Sequence, residues 1–339
     1  MKKLFSALLI GTGLTGAAMA EPHAGYDRLT VKADHRPSVL AASLWYPAGT
    51  PTYRGLVGDN AVFQGASAYV GAAVAEGRFP LFVLSHGSGG NMDAISWLSS
   101  ALALRGAMVL AVNHPGSTSG DSSPRRSVLL DERAADLTAA LDTLLDEPAF
   151  SGSVDRSRIA SLGFSLGGAT ALNLAGLRFD RNAYADYCRR MGDAGADCVF
   201  LAKGGVDLDA LPQGFGADTR DARIGRAIAI DPGMTYAATP DSIAGMEMPV
   251  LLINLGETRL FKAADVGLEG SNLAGKLPSA VLKTIAPAHH FTFLAACKPE
   301  GAAMLAEEKD DPVCDDPEGT DRAAVHQAIV DEIAAFAGL

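Results

Sequence analysis

The sequence predicts an α/β fold: a mostly parallel sheet of eight strands flanked by helices, with an insertion after one central helix. Three observations carry the prediction. From Phe79 onward, short continuous apolar runs alternate with amphipathic helical stretches, the pattern of parallel strands buried on both faces. Several of those runs end in loops holding His86, Asp231, Glu257 or the pair His289-His290, and reacting groups gather at that edge of a doubly wound sheet. The stretch Ile159 to Gly168 reads as a strand, a tight turn and a helix start, centred on Gly163-Phe164-Ser165-Leu166-Gly167.

Taken from its start, the chain of 339 residues opens with basic Met1-Lys2-Lys3, an apolar run from Leu4 to Ala17, and the A-x-A pattern Ala18-Met19-Ala20. Residues 1–20 are therefore expected to be an export signal, which places the protein in the periplasm or outside the cell. Glu21 follows, so no lipid-modified cysteine and no stable membrane anchor are expected, and no later run is long and apolar enough to span a bilayer. Removing the signal takes away Lys2 and Lys3 and no acid, moving the formal charge from −11 to −13. Such an acidic chain excludes nucleic acid as a natural partner and disfavours anionic membranes. Residues 21–339 suit a single domain.

Leu29 to Ala33 and Val39 to Trp45 are read as a hairpin across Asp34-His35-Arg36-Pro37, and Tyr46 to Arg78, which lacks periodicity, as a long surface connection. Phe79 to Leu84 is a buried strand emptying into Ser85-His86-Gly87-Ser88-Gly89-Gly90. A helix over Asp93 to Leu104, a strand over Ala107 to Val112 and a helix over Asp131 to Leu145 follow. In the last of these Ala134, Leu137, Leu141, Leu144 and Leu145 form the apolar face, leaving Arg133 and Asp136 to the solvated side. Residues 178–223 break the alternation as a lid-like or surface insertion. Strands resume at Ala227 to Ile230, Val250 to Asn254 and Val281 to Ile285, and a helix over Asp321 to Ala337 closes one face of the sheet.

Cys188, Cys198, Cys297 and Cys314 all lie in the exported part, and four cysteines allow three pairings. Proximity favours Cys188 with Cys198 and Cys297 with Cys314. With no C-x-x-C pair and no suitably spaced histidine, no metal site is expected. The acidic stretch from Glu307 to Asp316 fits no EF-hand spacing and reads as solvated charge.

A glycine on each side of Ser165 permits the close strand–helix approach that exposes a serine hydroxyl at a strained turn. That hydroxyl becomes nucleophilic only when a base removes its proton and an acid orients the base. Ser165, Asp231 and His290 occur in the order Ser, acid, His, with Glu257 the alternative acid and His289 the alternative base. The N–H of Leu166, directly after the serine, supplies one oxyanion donor. The chemistry requires no metal and no organic cofactor.

The segments Ser85 to Gly90, Gly163 to Gly168, Ala229-Ile230-Asp231-Pro232-Gly233 and His290-Phe291-Thr292-Phe293-Leu294 together resemble the platelet-activating-factor acetylhydrolase group and the related predicted bacterial dienelactone hydrolases. The likeness implies an α/β-hydrolase fold and a serine carboxylic-ester hydrolase acting on short-chain or small soluble esters. By the same likeness Asp231 is the acid, His290 is preferred because the base precedes an aromatic residue, and the N–H of Ser88 is the second oxyanion donor, with Gly87 the alternative. Dienelactone hydrolases proper carry a cysteine where this chain has Ser165. Two other functions fit the same residues: a secreted polyester or aryl-ester hydrolase, and an inactive scaffold used for binding.

Overall fold

The computed structural model describes residues 23–257 and 260–339, so the expected export signal lies outside the described residues. The chain begins with two strand pairs, β1 (His23–Val31) with β2 (Leu40–Ala48) and β3 (Tyr53–Val57) with β4 (Ala66–Val70). It enters the parallel core through β5 (Phe79–Ser85), α1 (Ser96–Leu104) and β6 (Met108–Val112). A small ribbon of β7 (Ser117–Thr118) and β8 (Asp121–Ser122), the single turn α2 (Pro124–Ser127) and the long α3 (Leu130–Asp146) lead to β9 (Val154–Phe164) and α4 (Leu166–Leu174). The insertion contributes α5 (Arg181–Met191) and α6 (Ala196–Lys203). Then come β10 (Arg226–Ile230), α7 (Pro240–Gly245), β11 (Val250–Leu255), α8 (Leu273–Lys276), β12 (Ala280–Ile285), α9 (Gly301–Glu308) and α10 (Arg322–Ala337).

The main sheet has ten strands in the order β12, β11, β10, β9, β5, β6, β2, β1, β4, β3. All neighbours from β12 to β6 are parallel, whereas β2 runs antiparallel to both β6 and β1. The eight expected strands are present, and the expected count is corrected by two: β3 and β4 form inside the stretch read as a surface connection. Their sequence signal is weak because β3 is the sheet's edge and β4 lies next to it, where Tyr53, Leu56 and Val70 face solvent and little apolar alternation is required.

Successive residues of the central strands feed opposite faces, as the pleat dictates. Leu81 and Val83 pack with Leu137, Leu141 and Leu144 of α3 and Leu172 of α4. Phe82 and Leu84 pack on the other side with Leu98 and Leu102 of α1 and Ile329 and Ile333 of α10. Each such aliphatic side chain contributes about 1.5–3 kcal/mol by leaving water. Helix α10 starts where Asp321 accepts the N–H groups of Ala323 and Ala324, a carboxylate satisfying otherwise unpaired donors. No helix among the described residues is long and apolar enough to cross a membrane.

The insertion is a packed unit. Cys188 of α5 is joined to Cys198 of α6, with Cα atoms 5.5 Å apart. Asp197 accepts the hydroxyls of Tyr184 (2.8 Å) and Tyr187 (3.1 Å) beside that bond. The second disulfide, Cys297 to Cys314, ties the segment after the histidine pair to the acidic stretch, with Cα atoms 6.0 Å apart.

Candidate active site

Ser165 stands between the end of β9 and the first residue of α4 with φ +56°, a left-handed conformation costly for a residue with a Cβ. Sterics explain the glycines around it. A Cβ on Gly163 would fall on the carbonyl oxygen of Gly167, and one on Gly167 would fall on that of Ser85. Strand, turn and helix can meet only if both positions are bare. The turn is pinned from both sides, because the Ser165 N–H donates to Ile230 O (3.0 Å) and the Gly233 N–H donates to Ser165 O (3.0 Å).

Three sequence-predicted residues converge here. The Ser165 hydroxyl lies 3.1 Å from His290 Nε2, and His290 Nδ1 lies 2.9 Å from Asp231 Oδ2. Since the carboxylate can only accept, Nδ1 carries the proton and Nε2 presents its lone pair to the serine. Asp231 is fully buried at the end of β10, where φ is +42°. Its other oxygen accepts the Leu255 N–H at 2.8 Å and the Asn254 amide at 3.2 Å. Asn254 was not singled out from sequence, although it occupies the same strand-end position on β11 that Asp231 occupies on β10. The alternative acid, Glu257, is exposed. The alternative base, His289, turns away: its Nδ1 accepts the Phe291 N–H (3.3 Å) and its Nε2 lies 3.6 Å from Asp316.

The two expected oxyanion donors belong to segments that adjoin the serine. Leu166 opens α4, so its N–H has no intrahelical acceptor. Ser88 lies in the loop after β5, and a Cβ on neighbouring Gly87 would sit 3.3 Å from the Ser165 Cβ. That loop is held from within, since His86 Nδ1 donates to Gly87 O (2.7 Å), and the Gly90 N–H donates to the same carbonyl (3.1 Å). Burial, reinforced by His114 and Arg133 nearby, holds the His86 pKa well below its ordinary value. A neutral His86 with the proton on Nδ1 braces the loop.

Arg133 and Asp136 correct the sequence reading: neither is solvated, at 1% and 0% exposure. Arg133 donates to His86 O (2.6 Å), Ser85 Oγ (3.0 Å), Thr170 Oγ1 (2.9 Å) and Ser117 Oγ, tying the loop after β5 to α4 and to β7. Asp136 accepts from His114 Nδ1 (2.9 Å), His35 Nε2 (2.8 Å), and Arg36 Nε (2.8 Å) and Nη2 (2.9 Å). Burial alone would raise the Asp136 pKa, but the donors from His114 and Arg36 outweigh it and bring it down to about 2. A detectable signal existed. Arg133 precedes Leu137, Ala140 and Leu144 by four, seven and eleven residues, which places it on the buried stripe of α3.

A cavity of about 360 Å³ opens beside His290. Phe261 and Phe291 give it an aromatic wall, Ala194 and Ala196 bring the insertion to its edge, and Pro312 brings the segment closed by the second disulfide. Among the described residues no group of acidic, histidine or cysteine side chains is placed to hold a metal ion. A half-buried serine linked to a buried histidine and aspartate, a strained turn and an adjoining cavity suit acyl transfer.

Comparison with known proteins agrees with that chemistry. Cutinase est1 of Thermobifida alba is 35% identical over 102 residues, 30% of this chain and 31% of that protein. Bis(hydroxyethyl) terephthalate hydrolase of Streptomyces coelicolor is 29% identical over 113 residues, 33% of this chain and 34% of that protein. The chain thus spans about a third of the length of the curated relatives it matches. A ferulic acid esterase from Streptomyces cinnamoneus superposes with TM-score 0.61, covering 96% of this chain and 91% of its own, at 20% identity, a likeness of fold. The model of the alpha/beta hydrolase family matches residues 82–335, from within β5 to within α10, and the chain belongs to that family.

Proposed function

We propose that this chain is an exported serine carboxylic-ester hydrolase formed by one domain, residues 21–339, with Ser165 as nucleophile, His290 as base and Asp231 as its orienting acid. One observation carries the reading: His290 bridges Ser165 and Asp231 at 3.1 and 2.9 Å while Ser165 sits on a strained turn at a helix start. Ser165 Oγ attacks the ester carbonyl as His290 Nε2 takes its proton. The negative charge growing on the carbonyl oxygen meets the N–H groups of Leu166 and Ser88, each such donor being worth about 10²–10³ in rate. The imidazolium returns its proton to the leaving alcohol, and water repeats the cycle on the acyl-enzyme. Asp231, held by Leu255 and Asn254, fixes the tautomer that this sequence of transfers requires.

The residues resembling acetylhydrolases favour small acyl groups. A second reading, hydrolysis of aryl esters or polyesters, draws support from relatives named as a cutinase and a terephthalate-ester hydrolase and from the aromatic cavity wall of Phe261 and Phe291. Hydrolysis of p-nitrophenyl esters of increasing acyl length, beside bis(hydroxyethyl) terephthalate, separates the two. Activity confined to acetate and propionate supports the first, and turnover of the terephthalate ester supports the second. Failure of the wild type on every ester, together with no labelling of Ser165 by a fluorophosphonate, would leave a binding scaffold.

A further inference from the structure

The imidazole of His290 is one layer of an aromatic stack. Phe293 lies on Phe164 with centroids 4.0 Å apart and planes 14° from parallel, and Phe164 lies on His290 at 4.6 Å and 32°. Phe261 lies on His290 at 4.5 Å and 25°. Phe164 and Phe261 have no ring contact with each other among the described residues, so they take the two faces of the imidazole. Its edges are already committed, Nδ1 to Asp231 and Nε2 to Ser165.

The two flanking rings differ in origin. Phe164 belongs to the turn itself and is backed by Phe293, so it is part of the core. Phe261 comes from the segment after β11 and faces the cavity. That segment is tied down by groups that serve the acid: Asn254, which donates to Asp231, also donates to Ala264 O (2.8 Å) and accepts the Val266 N–H (3.2 Å). The Tyr236 hydroxyl donates to Lys262 O (2.9 Å), and the Tyr236 ring stacks on Tyr187 of the insertion at 4.3 Å. Phe261 is therefore held by the anchored segment that follows it, at Lys262, Ala264 and Val266.

We propose that Phe261 is a positioning residue for the base: it keeps the imidazole in line between Asp231 and Ser165 and turns a π face toward the imidazolium formed in each proton transfer. The inference rests on the esterase reading. An aromatic face attracts a cation most where water is excluded, and only the charged form of the ring gains from it, so the benefit falls on the transition state. The charged or titratable groups that share this surrounding are Asp231 at Nδ1 and, on the cavity wall, Lys262 and His289. None of these replaces a ring face.

The test compares Phe261→Leu, which keeps apolar bulk and removes the π face, with Phe261→Tyr, which keeps both. With p-nitrophenyl acetate, Phe261→Leu is expected to lose about tenfold in kcat with KM changed less than about twofold, while Phe261→Tyr stays within about twofold of wild type. Proton NMR gives a readout independent of turnover: ring currents from two flanking faces displace the His290 Hε1 resonance upfield, and Phe261→Leu returns it downfield. Wild-type kcat in Phe261→Leu overturns the inference, and so does an equal loss in Phe261→Tyr. A wild type without turnover overturns the esterase reading and this inference together, whereas the first two outcomes overturn this inference alone.

Discussion

Two Ser–His–Asp strings lie side by side in this protein. In one, Ser165 Oγ is 3.1 Å from His290 Nε2 and His290 Nδ1 is 2.9 Å from Asp231. In the other, Ser85 Oγ is 3.0 Å from His114 Nε2 and His114 Nδ1 is 2.9 Å from Asp136. By distance alone they are indistinguishable. Ser85, His114 and Asp136 are each 0% exposed, and Arg133 donates to the Ser85 hydroxyl from within the core. Ser165 is half-buried at a left-handed turn, with a helix start behind it and a cavity beside its histidine. On the proposed reading, hydrogen-bond geometry orients the base, while access, backbone strain and waiting N–H donors make Ser165 and not Ser85 the nucleophile. The second string is a brace that uses the same side chains.

Substitution of the two serines probes this contrast most sharply. Ser165→Ala is expected to lower p-nitrophenyl ester turnover at least about 10⁴-fold. Ser85→Ala should keep kcat within about threefold and lower stability by about 1–3 kcal/mol, since it takes the hydroxyl from a buried acceptor, His114 Nε2, and a buried donor, Arg133 Nη2. Loss of turnover in a stable Ser85→Ala protein would break the division into engine and brace. The acids come next. Asp231→Asn should cost about 10⁴ in kcat by disfavouring the productive tautomer. Asp136→Asn should instead cost about 3–5 kcal/mol, read from the urea midpoint, because it removes the buried carboxylate shared by His114 and Arg36 and leaves Arg36 with Glu132 alone.

Acid offers a milder way to separate the brace from the rest. Burial lowers the pKa of His114 from 6.5 to about 4, and that of His326, stacked on Trp97, also to about 4. Both are neutral in the folded chain at pH 5 but protonated in the unfolded one. Their stabilising contribution is present above pH 6.5 and is lost as pH falls toward 4, about 2–3 kcal/mol for each. Asp136 changes little over that range, because its contribution persists above 3.8 and disappears only as pH passes through about 2. The urea midpoint should therefore fall between pH 7 and pH 4.5, and a flat profile would contradict the buried histidines. Reduction of the disulfides is expected to have an effect of similar size, about 2–3 kcal/mol for each short loop by the chain-entropy account.

How much of this was legible in the sequence depends on whether a residue's role is local. The turn at Ser165 could be read because two glycines, a strand and a helix adjoin it. Asp231 could be placed because it follows its strand directly, and His290 because it lies in the loop after the last strand and precedes an aromatic residue. The outer strands β3 and β4 could not, because edge strands need no apolar alternation. Arg133 and Asp136 were misread by type, charged residues being assigned to water although the spacing of Arg133 put it on the buried stripe. Phe261 gave no local signal at all: its significance arises from a stack with residues near 164 and 290, which only the folded chain brings together.

The two disulfides stand at two boundaries of the cavity. One holds the helix pair that brings Ala194 and Ala196 to the rim, and the other holds the segment that brings Pro312. The sheet and the serine turn are organised by burial and sterics and owe nothing to sulfur chemistry. Fold and pocket thus draw on separate sources of order. On the proposed reading, a copy kept in a reducing compartment would keep its scaffold while the rim of the pocket lost its two covalent ties.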